Sequence, residues 1–180
     1  MSTKEILTEI DGTITELLEL ISSFNQDQIN VIPFEGSWTA GQLAKHVIMS
    51  GSGFVKIING PVKETERKPD ELAATIKRDF LDFNTKMKSP DFVVPADTSY
   101  KKEDLLHSLE HIKAKINQAI EKLDLTKTCL AFELPGYGFL TRLEALHFIL
   151  YHTQRHIHQL KNIYQKVVSL EFDRTKIEKL

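Results

Sequence analysis

A chain of 180 residues, 41% of them hydrophobic and 27% charged, has an ordinary globular composition and enough length for one domain, residues 1–180, around one core. Its formal charge of −2 lacks the basic excess that nucleic acid or an anionic membrane selects. The single cysteine, Cys129, excludes an internal disulfide, and with no charged-then-apolar leader and no long apolar run the expected location is the cytoplasm.

Between clusters of proline and glycine the apolar residues keep helical spacing. Ile6, Ile10, Ile14, Leu17, Leu18 and Ile21 predict a first helix over residues 3–24, which "NVIPFEGSW" ends. Thr39 and Gln42 form the pattern of a capping box and open a second helix that runs to residue 58. After the polar connector "NGPVKETERKPD", Leu72, Ile76, Phe80 and Phe83 predict a shorter helix over 70–87. "SPDFVVPADTS" reads as a loop, with a short extended piece near Val93. Leu105, Leu109, Ile112, Ile116, Ile120 and Leu123 predict a helix over 102–124, and a second extended piece falls near Leu130. Thr141 and Glu144 form another capping box, opening a last helix to residue 168 that is roughly 40 Å long. The charged residues 170–180 read as a frayed tail. Four long amphipathic helices and one inserted shorter helix predict an all-α four-helix bundle.

The stretch "LHFILYHTQRHIHQL" carries four histidines. On a helical wheel, Leu146, Leu150, Thr153, Ile157, Leu160 and Tyr164 mark the inward face. His152 and His156 form an i,i+4 pair at one edge of that face, so one ion can meet both imidazoles. His147 and His158 lie on the other flank, and Tyr151 and Arg155 are expected to point further out. A third ligand must come from a facing helix. In the second helix His46 falls beside Leu43 and Ile57 on the inward face, with Ser50 and Gly53 leaving space on the same edge. Ser50 and Gly53 are the expected wall of a pocket, because an open metal site needs room for an exchangeable ligand. His107 and His111 have the same spacing as the candidate pair but lie opposite the apolar stripe of their helix, and are read as solvated. Cys129 reads as a packed small hydrophobe. Trp38 reads as an anchor for the loop entering the second helix or as a pocket wall.

"SWTAGQLAKHV" and "GYGFLTRLEALHFILYHTQRHIHQL" together resemble the DinB-like (YfiT-like) family: a Trp-Ser/Thr entry into a helix carrying a histidine, then a last helix with H-x3-H followed by glutamine. The resemblance covers nearly the whole chain in helix order. It implies a helical bundle that binds a divalent metal, nickel or zinc, through three histidines, which by matching position are His46, His152 and His156. It also implies kinship with thiol-dependent transferases and isomerases that use bacillithiol, mycothiol or glutathione, and with dimeric proteins, so a small-molecule substrate, a low-molecular-weight thiol and a homodimer are the expected partners.

Three imidazoles leave a metal at least one open position, which suits both thiol transfer and hydrolysis. The pair reads H-T-Q-R-H, with Thr153 where a zinc protease of the H-E-x-x-H type keeps its glutamate, which argues against that chemistry. Gln159, one turn beyond His156, is placed to support a ligand. No catalytic acid or base is assigned. The two readings are a metal-dependent transferase or hydrolase and a non-enzymatic metal-binding or interaction bundle with a structural or vestigial site. An adjacent space favours the first, and a fourth protein ligand favours the second.

Overall fold

The helices open where side chains satisfy their first amide groups. In this computed structural model, which describes residues 3–177 and side chains as far as residue 170, the elements are α1 (Thr3–Ser23), α2 (Ala40–Ile58), β1 (Val62–Lys63), α3 (Ala73–Leu81), α4 (Lys102–Lys122), β2 (Thr128–Cys129) and α5 (Arg142–Ile177). Both predicted capping boxes form. The Gln42 amide donates to Thr39 Oγ1 while the Thr39 amide donates to Gln42 Oε1. The Glu144 amide donates to Thr141 Oγ1 and the Thr141 amide to Glu144 Oε2. Each pair meets two amides that a helix start leaves without partners.

α1 packs on α4 and α5, and α2 packs on the same two helices, so α1 and α2 occupy opposite corners of the bundle. Consecutive helices on a diagonal need long connectors. Residues 24–39 and 123–141 supply them, the first through a 3-10 turn at Gln28–Asn30 and the second through β2, which pairs antiparallel with β1. α5 is buried on nearly every side between residues 144 and 157, as befits a helix with α1, α2 and α3 around it.

Three boundaries differ from the sequence reading. α3 spans 73–81 rather than 70–87. Its end is set by Asp82, whose carboxylate accepts from the Asn84 amide and the Thr85 hydroxyl, a local turn that competes with helix. α5 continues to Ile177 instead of stopping near 168, since no glycine or proline interrupts it; of the predicted tail, residues 178–180 lie outside the described residues. The piece near Val93 is a 3-10 turn, Asp91–Val93, not extended chain, whereas the other expected piece is realised as β2.

Candidate metal centre

His46 projects from α2, and His152 and His156 project from α5, toward one point. His152 Nε2 lies 3.2 Å from His46 Nε2 and 3.0 Å from His156 Nε2. All three residues are buried, at 2%, 9% and 7% exposure. Two of the rings are oriented from behind. His46 Nδ1 donates to the Val93 carbonyl at 2.8 Å, and His156 Nδ1 donates to Gln159 Oε1 at 2.7 Å. A neutral imidazole that gives its proton through Nδ1 carries a lone pair on Nε2. Two lone pairs therefore face His152 Nε2, which has at most one proton to offer. A cation resolves this crowding of acceptors. Tetrahedral zinc with bonds of about 2.0–2.1 Å sets its nitrogen ligands about 3.3 Å apart, close to the spacing seen here. The donor set fits a divalent metal that accepts imidazole, and carbonyl or amide partners behind such ligands are the usual support.

The electrostatics agree with neutral ligands. Burial lowers the pKa of His46, pushes His156 down to about 3, and holds His152 well below the ordinary histidine value. The neighbouring imidazoles and the Arg155 guanidinium add to the lowering at His152 and His156. Phe148 stacks on His152 with centroids 5.3 Å apart and Phe80 meets it edge-on at 5.8 Å, while Trp38 lies 5.2 Å from His46.

The cluster sits at the wall of a cleft of about 1550 Å³. Ser50, Gly53, Trp38 and Gln159 all line it. A Cβ built on Gly53 meets no heavy atom within 4 Å beyond its own helix backbone and chain neighbours, so this edge of α2 borders open space. Among the described residues, no fourth histidine, cysteine or carboxylate joins the three histidines. His107 and His111 are exposed on α4, and Cys129 is fully buried with its thiol pushed up to about 11 by desolvation.

Two placements correct the sequence reading. Arg155 and Tyr151 do not point outward; they are 5% and 6% exposed. Arg155 donates to the carbonyls of Phe80 (3.2 Å), Asp82 (2.8 Å) and Thr85, closing the C-terminal end of α3 onto α5. Tyr151 lies under Lys77 of α3 and beside His147, which is itself buried. The reason is a second stripe on α5. Glu144, Phe148, Tyr151, Arg155 and His158 recur at spacings of four and three, and each meets the 67–85 segment. Glu144 is fully buried and binds Arg67 through both carboxylate oxygens. That spacing was visible in the sequence; its mixed polar and aromatic composition hid it. The Val93 carbonyl carried no sequence signal at all.

A four-helix bundle with diagonal crossings and a three-histidine cluster across two facing helices defines a class of protein, and known proteins of similar sequence and fold bear out the bundle. The DinB superfamily profile matches residues 9–160, and the chain belongs to that superfamily. It is 24% identical over 152 residues to the uncharacterized protein YuaE of Bacillus subtilis, covering 82% of this chain and 90% of that one. Its fold is similar to YfiT from Bacillus subtilis, described as a probable metal-dependent hydrolase with an unusual four-helix bundle topology (TM-score 0.59, 15% identity, 92% of this chain and 89% of the other). It is also similar to TT2238, a four-helix bundle protein (TM-score 0.58, 19% identity, 89% and 99%).

Proposed function

We propose that the chain is a divalent-metal-dependent enzyme acting on a small molecule in the cleft, with zinc or nickel held by His46, His152 and His156. The observation that carries the proposal is the convergence of three buried Nε2 atoms at the wall of an open cleft. A bound divalent cation supplies Lewis acidity, polarising a carbonyl and lowering the pKa of a bound water or thiol. The chain's own residues do the rest. The Val93 carbonyl and Gln159 fix the tautomer and direction of His46 and His156. Phe80 and Phe148 cover the flank of His152 and keep water from it. Arg155, a buried guanidinium bonded to carbonyls, adds positive potential beside the cluster.

Both hydrolysis and thiol transfer suit this arrangement. The description of YfiT supports the first, and the resemblance to thiol-dependent transferases supports the second. Cys129 is buried and held protonated, so a nucleophilic thiol has to come from a low-molecular-weight co-substrate, in keeping with a cytoplasmic enzyme. An open coordination sphere beside a cleft favours an enzyme over a purely structural site.

The test is metal analysis of protein purified without a chelator or an immobilised-metal column. Thiol-conjugation assays with bacillithiol, mycothiol and glutathione follow, beside hydrolysis of small esters and amides. The expected result is about one equivalent of metal, absent from His46→Ala, and turnover that depends on it. Metal content no higher than that of His46→Ala would end the proposal.

A further inference from the structure

The cleft wall beyond the histidines has a composition of its own. α2 contributes two adjacent stripes, His46–Ser50–Gly53–Ile57 and Lys45–Met49–Ser52–Lys56. The segment after α3 contributes Met87, Lys88 and Phe92, and the α4–α5 connector contributes Phe132. Phe92, Phe34 and Met87 are 67%, 55% and 44% exposed, an apolar surface that water does not favour. Lys45, Lys56, Lys88 and Arg155 face the cleft, against one carboxylate, Asp91. Among the described residues, none of the three lysines has an ion-pair partner. Lys45 is the half-buried one of the three and directly precedes His46, so its charge is the least screened by solvent and the nearest in the chain to the cluster. Lys56 lies eleven residues further along the same face of α2, about 16 Å away.

We propose that this cleft takes amphipathic anions: an alkyl or aryl body lying along the Met49–Ile57 wall and an acidic head, carboxylate or sulfonate, at Lys45. This deepens the reading of the cleft as a substrate site by naming the substrate class. The apolar wall supplies the bulk of the attraction by removing the body from water. The unpaired ammonium sets the sign of the head and its direction, toward the histidine end. A cationic amphiphile meets four like charges and is rejected.

The experiment titrates decanoate, decane-1-sulfonate, decan-1-ol and decyltrimethylammonium into the full chain by calorimetry, with and without one equivalent of zinc. The metal-free arm separates the lysine from the metal as anion receptor. Decanoate and the sulfonate should both bind the metal-free protein, and the trimethylammonium compound should not. Lys45→Glu should weaken both anions about tenfold and leave decan-1-ol unchanged, while Lys56→Glu, the same change in net charge, should cost less than about threefold. Circular dichroism melts establish that both variants fold. Equal weakening by the two substitutions would mean a general charge effect and overturn the head-group assignment. Decanoate binding only with zinc present, or trimethylammonium binding as tightly as decanoate, would overturn the substrate class. Zinc binding is read in the same titrations. Its absence with decanoate binding intact would reject the metal enzyme and leave the anion site standing.

Discussion

His46, His152 and His156 differ in what holds the nitrogen turned away from the cluster. His46 leans on a backbone carbonyl and His156 on Gln159, whereas the His152 ring is packed by Phe148, which stacks on it, and Phe80, which meets it edge-on. His46→Ala removes one of three ligands and should weaken zinc or nickel binding well over about a hundredfold, whereas Gln159→Leu removes only the support behind a ligand and should cost on the order of tenfold. His107→Ala, on the exposed face of α4, should cost nothing. Calorimetric titration of metal into the three metal-free variants checks the order, and equal losses in all three would dissolve the site. Gly53 is a different kind of residue. Its missing side chain borders open cleft rather than a neighbour, so Gly53→Leu should fill space without touching a ligand. Decanoate binding should fall and metal affinity should hold. The helix should gain somewhat under about 1 kcal/mol from propensity, read as a small rise in melting temperature. A drop in metal affinity as large as that of His46→Ala would show that Gly53 serves the ligands after all.

α3 is the element the sequence located but could not seat. Its apolar residues Ile76 and Phe80 were legible at helical spacing, and both are buried. The partner face on α5 was not legible, because Glu144 reads as a capping residue, Tyr151 and Arg155 as outward-pointing and His158 as part of the far flank, until the 67–85 segment covers them. The same contrast holds at the site. The three histidines were legible because a helix fixes the angle between residues three and four apart, whatever the rest of the chain does. Val93 was not, since the path of the 82–101 connector is set by contacts remote in sequence, among them the Tyr100 carbonyl accepting from Gln26 and Asn30. Both capping boxes were legible because their partners are three residues apart. Arg155 now makes α3 testable as a unit. Arg155→Met keeps the length and apolar stem but leaves three carbonyls, one in the last turn of α3 and two in the residues after it, without their cationic donor, which should cost about 2 kcal/mol or more in unfolding free energy. Amide exchange should quicken across residues 73–85 more than in α1 or α4. Unchanged exchange there would show that packing by Phe80 and Tyr151 holds α3 without the arginine.

For the molecule as a whole, the buried histidines tie stability to pH and, on the proposed reading, to metal. In the unfolded chain a histidine titrates near about 6.5. In the folded metal-free protein His46, His147, His152 and His156 are all shifted downward by burial, His156 to about 3. At pH 7.5 both states hold these rings neutral, and titration contributes nothing. As pH falls below about 6.5 the unfolded state takes up protons that the folded state refuses, so it binds more protons and stability falls with it. Each such histidine contributes a slope of up to about 1.4 kcal/mol per pH unit, and the loss continues down to the folded pKa, to about 3 at His156. The lowered carboxyls of Asp11, Asp82 and Asp124 act in the same direction, but only once the pH drops below the ordinary carboxylate range near about 4. Between pH 6.5 and 4.5 the histidines therefore dominate. A divalent metal competes with protons for the same lone pairs and binds the folded state alone, so it should raise the melting temperature at pH 7.5 and raise it less as pH falls and protons claim the ligands. Scanning calorimetry of the metal-free and zinc-loaded protein at pH 7.5, 6.5, 5.5 and 4.5 reads both effects. The metal-free melting temperature should drop steeply through this series, and the separation between the two curves should shrink toward its acid end. His46→Ala should abolish the separation at every pH while flattening the metal-free decline by about the share of one histidine in four. A metal-free melting temperature constant from pH 7.5 to 4.5 would mean that the rings protonate freely in the folded state, and would overturn the downward shift assigned to their burial.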